Sequence, residues 1–167
     1  MSINSAYLHT AINSLWDSSN LDDHFTDFWG VGLDSEFIVL NDTKADPATP
    51  NPYCVVVIDP AVTTSRMSGN TNTQRHIRDV PCEFRCYTKE VHTDSRPAKG
   101  IAAFLVEEIM KIFGGHPTEA PQPLSLAHGN FLIAQYQTDY GIATGDDEYL
   151  WIVSYLLRLD VPVTVAS

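Results

Sequence analysis

Cys82 and Cys86 are the residues here whose type and spacing come nearest to a recognisable chemistry, because two thiolates close together make half of a zinc site. The residues around them alternate, with Cys82, Phe84 and Cys86 on one face and Glu83, Arg85 and Tyr87 on the other, which predicts a strand. Four residues along a strand cover about 13 Å, too far for two ligands of one ion held at about 2.3 Å. Cys54 falls inside the apolar run YCVVVI. All three cysteines therefore read as small core residues, and their odd number argues against a disulfide framework. The six histidines, His9, His24, His76, His92, His116 and His128, contain no HxH or HxxxH pair, so no metal site is expected.

Other motifs dissolve in the same way. GIATGDD, from Gly141 to Asp147, has the glycines of a phosphate loop but no Gly-Lys-Ser/Thr at the mouth of a helix. It reads as a hairpin turn kept solvated by its carboxylates. Ser125 and His128 share a loop without an evident acid partner, and the sequence holds no GxSxG elbow. Glu107 and Glu108 are neighbours on a helix and point about 100° apart, so they form no dyad. The expectation is a protein that is not an enzyme, with no catalytic residue, cofactor or metal.

The elements that position these residues centre on one segment. Arg96 to Phe113, RPAKGIAAFLVEEIMKIF, has Ser95 as a cap, Pro97 in the first turn and Gly114-Gly115 as a stop. Its apolar residues cover about 200° of the helix surface, wider than an ordinary surface stripe. Glu107, Glu108 and Lys111 take the rest. Phe104 falls among them, so it either lies under a loop or faces another chain. A first helix runs to about Trp16, with Leu8, Ala11, Ile12, Leu15 and Trp16 on one side. A second short helix around Asp22 to Trp29 is weakly marked.

Strands are expected at Asp34 to Leu40, at Tyr53 to Ile58 buried on both faces, and at 75–90, where Pro81 demands a bend or an edge. Residues 60–74 lack periodicity and read as a mobile loop or the tip of a long hairpin. After the central helix come a Pro-rich connection, a strand from Asn130 to Tyr140, and a closing segment from Glu148 to Val165 that keeps period two over fifteen residues. At about 3.3 Å per residue that segment is long enough to be bent, bulged or partly paired outside its own domain. The order α-β-β-β-α-β-β predicts an α+β fold, an antiparallel (mixed) sheet with two helices packed on one face, as a single domain over residues 1–167.

The 167 residues carry a formal charge of −11. Residues 17–46 hold eight carboxylates against Lys44, while residues 66–99 hold seven basic side chains against four acidic ones. The general field is wrong for gripping phosphates, so nucleic-acid binding through it is excluded. An acidic sector meeting the basic sector of a neighbouring copy is one reading; scattered solvated charge is the other. No run of about 18 apolar residues would span a bilayer, and the N-terminus lacks a basic leader, so no membrane role and a cytoplasmic origin are expected.

In element order and hydrophobic pattern the chain resembles the tail terminator, or tail completion, proteins of long-tailed bacteriophages. The residues that carry the likeness are the N-terminal amphipathic helix, the VVVI strand after a Pro-rich loop, the strand CEFRCYTKE and the helix AAFLVEEIMKIF. Leu124 and Leu126 before Gly129, and an acidic turn ahead of YLWIVSYLLRLDVPV, complete it. The resemblance implies a homo-oligomer, a hexameric ring on the head-proximal end of the tail tube, which ends tail polymerisation and joins the tail to the head. Its partners would be the tail tube protein and a head–tail connector or neck protein, with DNA passing through the ring unbound. It would be made in the host cytoplasm and kept in the virion. Phe104, Glu107, Lys111, Arg78 and Arg85 are the expected subunit contacts, and Asp22, Asp23 and Asp27 the expected channel-facing acids. Two other readings stand beside it: a head-completion or neck adaptor protein between portal and tail, and a small ligand-binding or enzymatic α+β domain.

Overall fold

The computed structural model describes residues 3–19, 21, 38–39, 52–59, 62–68, 73–89, 97–126 and 130–164. Its elements follow in chain order as α1 (Ile3–Ser18), β1 (Ile38–Val39), β2 (Tyr53–Ile58), β3 (Val62–Ser68), β4 (Thr73–Lys89), α2 (Ala98–Phe113), β5 (Asn130–Gly145) and β6 (Glu148–Thr164). The strands form one sheet in the order β1-β2-β4-β6-β5, with β3 also paired to β4. All pairings are antiparallel except β1 with β2, which is parallel. The protein is therefore α+β, with one strand more between the helices than the sequence pattern indicates.

Period two sorts the sheet into two faces. Register aligns Val56, Phe84 and Val153 in one row, and Ile58, Cys82, Tyr155 and Tyr136 in the next. These side chains meet Leu8, Ala11, Ile12 and Trp16 of α1 and Ile101, Leu105, Ile109 and Phe113 of α2 in one continuous core. Both helices lie on that face. Phe84 is its centre, with its ring 4.6 Å from that of Phe113 and edge-on to Tyr155 at 5.7 Å. Ile101, Leu105 and Ile109 are fully buried, each contributing about 1.5–3 kcal/mol of transfer free energy. The wide apolar arc of α2 exists because strands cover one side of it and the returning chain another. Leu124 is buried, Leu126 packs on the core, and Gln122 N–H donates to the Ile112 carbonyl at 2.8 Å.

The structure refines four expectations. Of the two readings of residues 60–74, the hairpin is found: β3 pairs with Gln74 to Asp79 of β4. Its β-branched Val62, Thr63 and Thr64 favour strand, and among the described residues it is paired on one side only, where no apolar alternation is needed. Pro81 lies in a central strand, since β4 pairs with β6 along its whole length. It is tolerated because it falls at the seam where β2, ending opposite Cys82, gives way to β3, beginning opposite Asp79. Its carbonyl accepts from Asp59 N–H at 3.0 Å on that side, so the donor it lacks would have pointed into the seam. The closing strand β6 is paired with β4 along its whole length and with β5 from Glu148 to Asp160, and the register shifts lie against β5, after Phe131, Tyr136 and Ala143. Finally, α2 begins at Ala98 with Pro97 in extended conformation at the cap and no side-chain capping bond.

Of Asp34 to Leu40 the described residues are Ile38–Val39, and the helix expected around Asp22 to Trp29 lies outside the described residues.

Candidate interaction surface

The five expected contact residues occupy three different places. Phe104 sits on α2, partly buried and packed against the core, so it is a margin of the interior rather than an exposed anchor. Glu107 is exposed and Lys111 half-exposed, and both belong to a local charge cluster. Lys111 Nζ lies 2.8 Å from Glu108 Oε1 and 3.9 Å from Glu107 Oε1. Glu108, grouped with the polar arc by its position, is in fact 6% exposed. Its hydrogen bond and its charge together raise the Lys111 pKa.

The same cluster extends into the turn after the helix. Gly114 and Gly115 have φ of 127° and 96°, values that favour glycine. His116 follows, and its Nδ1 accepts from the backbone N–H of Thr118 at 3.2 Å and of Glu119 at 3.1 Å. With Nδ1 accepting two N–H groups, the neutral ring carries its proton on Nε2, which lies 3.6 Å from Glu107 Oε1. The cluster is an internal clasp on the helix terminus, and its charges already have partners.

Arg78 and Arg85 are on β4, seven residues apart, so alternation sends them to opposite faces. Arg85 lies on the helix-free face and is held by Glu83 two residues away, through Nε at 3.0 Å and Nη2 at 2.8 Å to one carboxylate oxygen. Arg78 and His76 share the helix face near the β3–β4 turn. Arg78 Nε and both ring nitrogens of His76 are buried and make no hydrogen bond. Buried polar groups without partners cost about 1–3 kcal/mol each, a cost that water or a polar group from a neighbour would offset. Asp79, the residue after Arg78, faces the other way and forms a two-point pair with Arg158, Nε to Oδ1 at 2.8 Å and Nη2 to Oδ2 at 3.0 Å. The Arg158 hydrogen bonds hold the Asp79 carboxyl below its ordinary range, against the opposing effect of burial. Asp22, Asp23 and Asp27 lie outside the described residues.

Sequence reasoning overlooked the β5–β6 arm. Tyr140 is 48% and Ile142 49% exposed, the large hydrophobic residues most open to solvent among those described. They stand two apart on one face of β5, beside Ile152 and Leu150 of β6. Further across that face Tyr87 stacks on Tyr53 at 4.9 Å. From Gly141 to Glu148 the arm is exposed on both faces. β5 is also a sheet edge, 16 residues long. Its register shifts break the flat row of donors and acceptors that an incoming strand would need. What the arm offers a partner is therefore side-chain surface more than a free strand edge. Alternating Tyr140 and Ile142 within an acidic-tipped hairpin were visible in the sequence; their exposure depended on which face the helices chose.

On the helix face the arm is stiffened by Asp139, which accepts from the Tyr136 hydroxyl and, at 2.9 Å, from Trp151 Nε1. The Asp139 hydrogen bond, then burial, raises the Tyr136 pKa. Among the described residues no group of three or more His, Cys, Asp or Glu side chains is placed to hold a metal ion, and no described helix is long and apolar enough to cross a membrane.

No protein-family model matches the chain, and no curated protein does. Among solved structures it is similar to a chain of the virion of a native gene transfer agent (GTA) particle, at 15% identity and a TM-score of 0.51, over 96% of this chain and 99% of that one. At that identity the likeness is one of fold, shared nearly end to end.

Proposed function

We propose that this protein is a structural component of a phage-like virion, and specifically a tail terminator that caps the head-proximal end of the tail tube as a hexameric ring. The observation that carries the reading is the fold likeness to a chain of a gene transfer agent virion, which covers 96% of this chain and 99% of that one. The element order that resembles tail completion proteins supports the finer assignment. Ring assembly needs a heterologous contact, two different patches of one subunit meeting in each neighbour pair. The Tyr140–Ile142 arm supplies one apolar patch, and the Arg78–His76 corner, with its unpaired buried nitrogens, supplies a polar one. The formal charge of −11 suits a channel that DNA slides through, since like charge keeps phosphate from sticking.

The test is native mass spectrometry of the purified protein over a concentration series, alone and with tail tubes. A sixfold species, or a monomer that becomes sixfold on tubes, is the expected result. A twelvefold ring would move the assignment to a head-completion or neck adaptor protein on the portal side. A monomer at every concentration, inert toward tubes, would remove both virion roles.

A further inference from the structure

We propose that Cys54 and Cys86 are a latent disulfide, a buried dithiol that closes into one cross-strand bond when the protein meets a disulfide oxidant. The two residues stand directly opposite each other in the antiparallel pair of β2 and β4. Their Sγ atoms are 3.9 Å apart. Directly opposed residues of antiparallel strands have Cα atoms about 4.5 or 5.5 Å apart, and a disulfide accepts about 4.4–6.8 Å. The backbone spacing therefore suits the bond, and side-chain rotation is what remains to bring the sulfurs together. Cys82 has no such option. It stands opposite Ile58 on β2 and Tyr155 on β6, and along its own strand Cys86 is about 13 Å away.

The fold thus selects one pair of three, and it selects against chain statistics. In an unfolded chain the shortest loop closes most readily, which favours Cys82 with Cys86. Cys54 and Cys86 are 32 residues apart in sequence. A bond between them is the mark of the native sheet. All three thiols are free, and burial pushes that of Cys54 well up, which keeps it protonated and unreactive while the sheet is closed.

The chemistry is a two-step exchange. One cysteine loses its proton to solvent and, as thiolate, attacks a sulfur of the oxidant; the oxidant's S–S bond breaks, and its departing thiolate takes up a proton. The second cysteine then loses its proton and attacks the protein sulfur of the mixed disulfide, releasing the other half of the oxidant as a second thiol. Two protein thiols give up two electrons, and one small disulfide becomes two thiols. Both sulfurs are fully buried, so the first step waits for β2 to lift from β4. β2 pairs with β4 over six residues, against seventeen for β4 with β6, so lifting β2 breaks the shorter of the two ladders.

The experiment is incubation of the reduced protein with oxidised glutathione, with and without sub-denaturing urea, followed by alkylation and non-reducing trypsin mapping. Cleavage after Lys44, Arg66, Arg78, Arg85 and Lys89 puts Cys54, Cys82 and Cys86 in three separate peptides. The expected product is peptide 45–66 joined to 86–89, with Cys82 alkylated in 79–85, forming faster as urea raises the open fraction. The melting temperature should rise by about 5–10 °C, and Cys82→Ala should close the same bond while Cys54→Ala does not. Three results would overturn the proposal: a bond that includes Cys82, glutathione adducts that never resolve into a bond, or no reaction even in urea that opens the sheet. The map on the unaltered protein decides among these without any variant.

Discussion

Tyr155 and Gly114 are joined by a 2.7 Å hydrogen bond, the phenol donating from the middle of β6 to the carbonyl oxygen at the C-terminus of α2. The bond is buried and links α2 to the β5–β6 hairpin across the core. It explains a tyrosine where alternation alone would accept a phenylalanine. The Gly114 carbonyl lies just past the last turn, where orphan acceptors need partners, and the Tyr155 ring meanwhile packs edge-on to Phe84 and Tyr136.

Tyr155→Phe keeps the ring and removes the donor, leaving the Gly114 oxygen in a dry core. The expected cost is about 1–3 kcal/mol. Urea unfolding should show a lower midpoint at unchanged slope, since the surface exposed on unfolding is the same. Burial holds the Tyr155 hydroxyl far above its ordinary pKa of 10.0, so this residue's contribution is complete below that value and declines as pH rises past it. In Tyr155→Phe the alkaline decline should be shallower.

Gly115→Ala should be worse than its neighbour. At φ of 96° a new Cβ would sit 2.7 Å from Cδ2 and 2.9 Å from Cγ of Tyr136, a ring fixed at its far end by Asp139. Backbone strain and overpacking together should cost about 2–4 kcal/mol. At Gly114 the backbone is also in glycine territory, with φ of 127°, but the nearest atom is at 3.6 Å. Thermal melts should therefore rank wild type above Gly114→Ala above Gly115→Ala. Equal melts for the two variants would mean that Tyr136 moves aside.

The Asp79–Arg158 pair predicts an acid dependence. Because the folded pKa of Asp79 lies below the ordinary 3.8, its contribution is full above that value and is lost as pH falls through the folded one. Asp79→Asn should be less stable than wild type at pH 7, and the gap should close as the pH is lowered past 3.8. His9 adds a second, milder window. Burial lowers its pKa from 6.5, so stability falls as pH drops below 6.5 and the unfolded chain takes up a proton that the folded one refuses. Urea titrations of wild type, Asp79→Asn and His9→Gln at pH 7, 5.5 and 3.5 separate the two.

How much of this was legible depended on whether a signal was local. The stop at Gly114-Gly115, the apolar faces of α1 and α2, and the double burial of Tyr53 to Ile58 were written in composition and period. So was the acidic hairpin turn at Asp146-Asp147. Partnerships between distant segments were not. Pro81 reads as an edge marker because a sequence cannot show that two short strands share one flank of β4 and leave a seam between them. Likewise spacing separates Cys86 from Cys82, but only register sets it against Cys54. Glu108 looks solvated from its helix position, yet it is buried with Lys111 against it. Of the expected contact residues, Phe104 was singled out for breaking the polar arc, and it does so because the core reaches that far. Tyr140 and Ile142, the surface the fold does leave open, followed an ordinary strand alternation and gave no such break.

The arm supplies the sharpest test of the assembly reading. Ile142→Asp changes a half-exposed side chain near a hairpin tip, so the monomer should keep its melting temperature to within about 1–2 °C, as surface changes away from the core generally do. If the arm is the apolar half of a ring contact, a buried charge there should cost about 2–4 kcal/mol per contact. Across the contacts of a closed ring that is enough to remove the sixfold species at micromolar concentration. Phe104→Asp should behave in the opposite order, lowering the melting temperature first because Phe104 packs on the core. Native mass and thermal melts on both variants distinguish the cases. Loss of the ring with an intact monomer in Ile142→Asp places the contact on β5, whereas an undisturbed ring in Ile142→Asp moves the contact away from the arm.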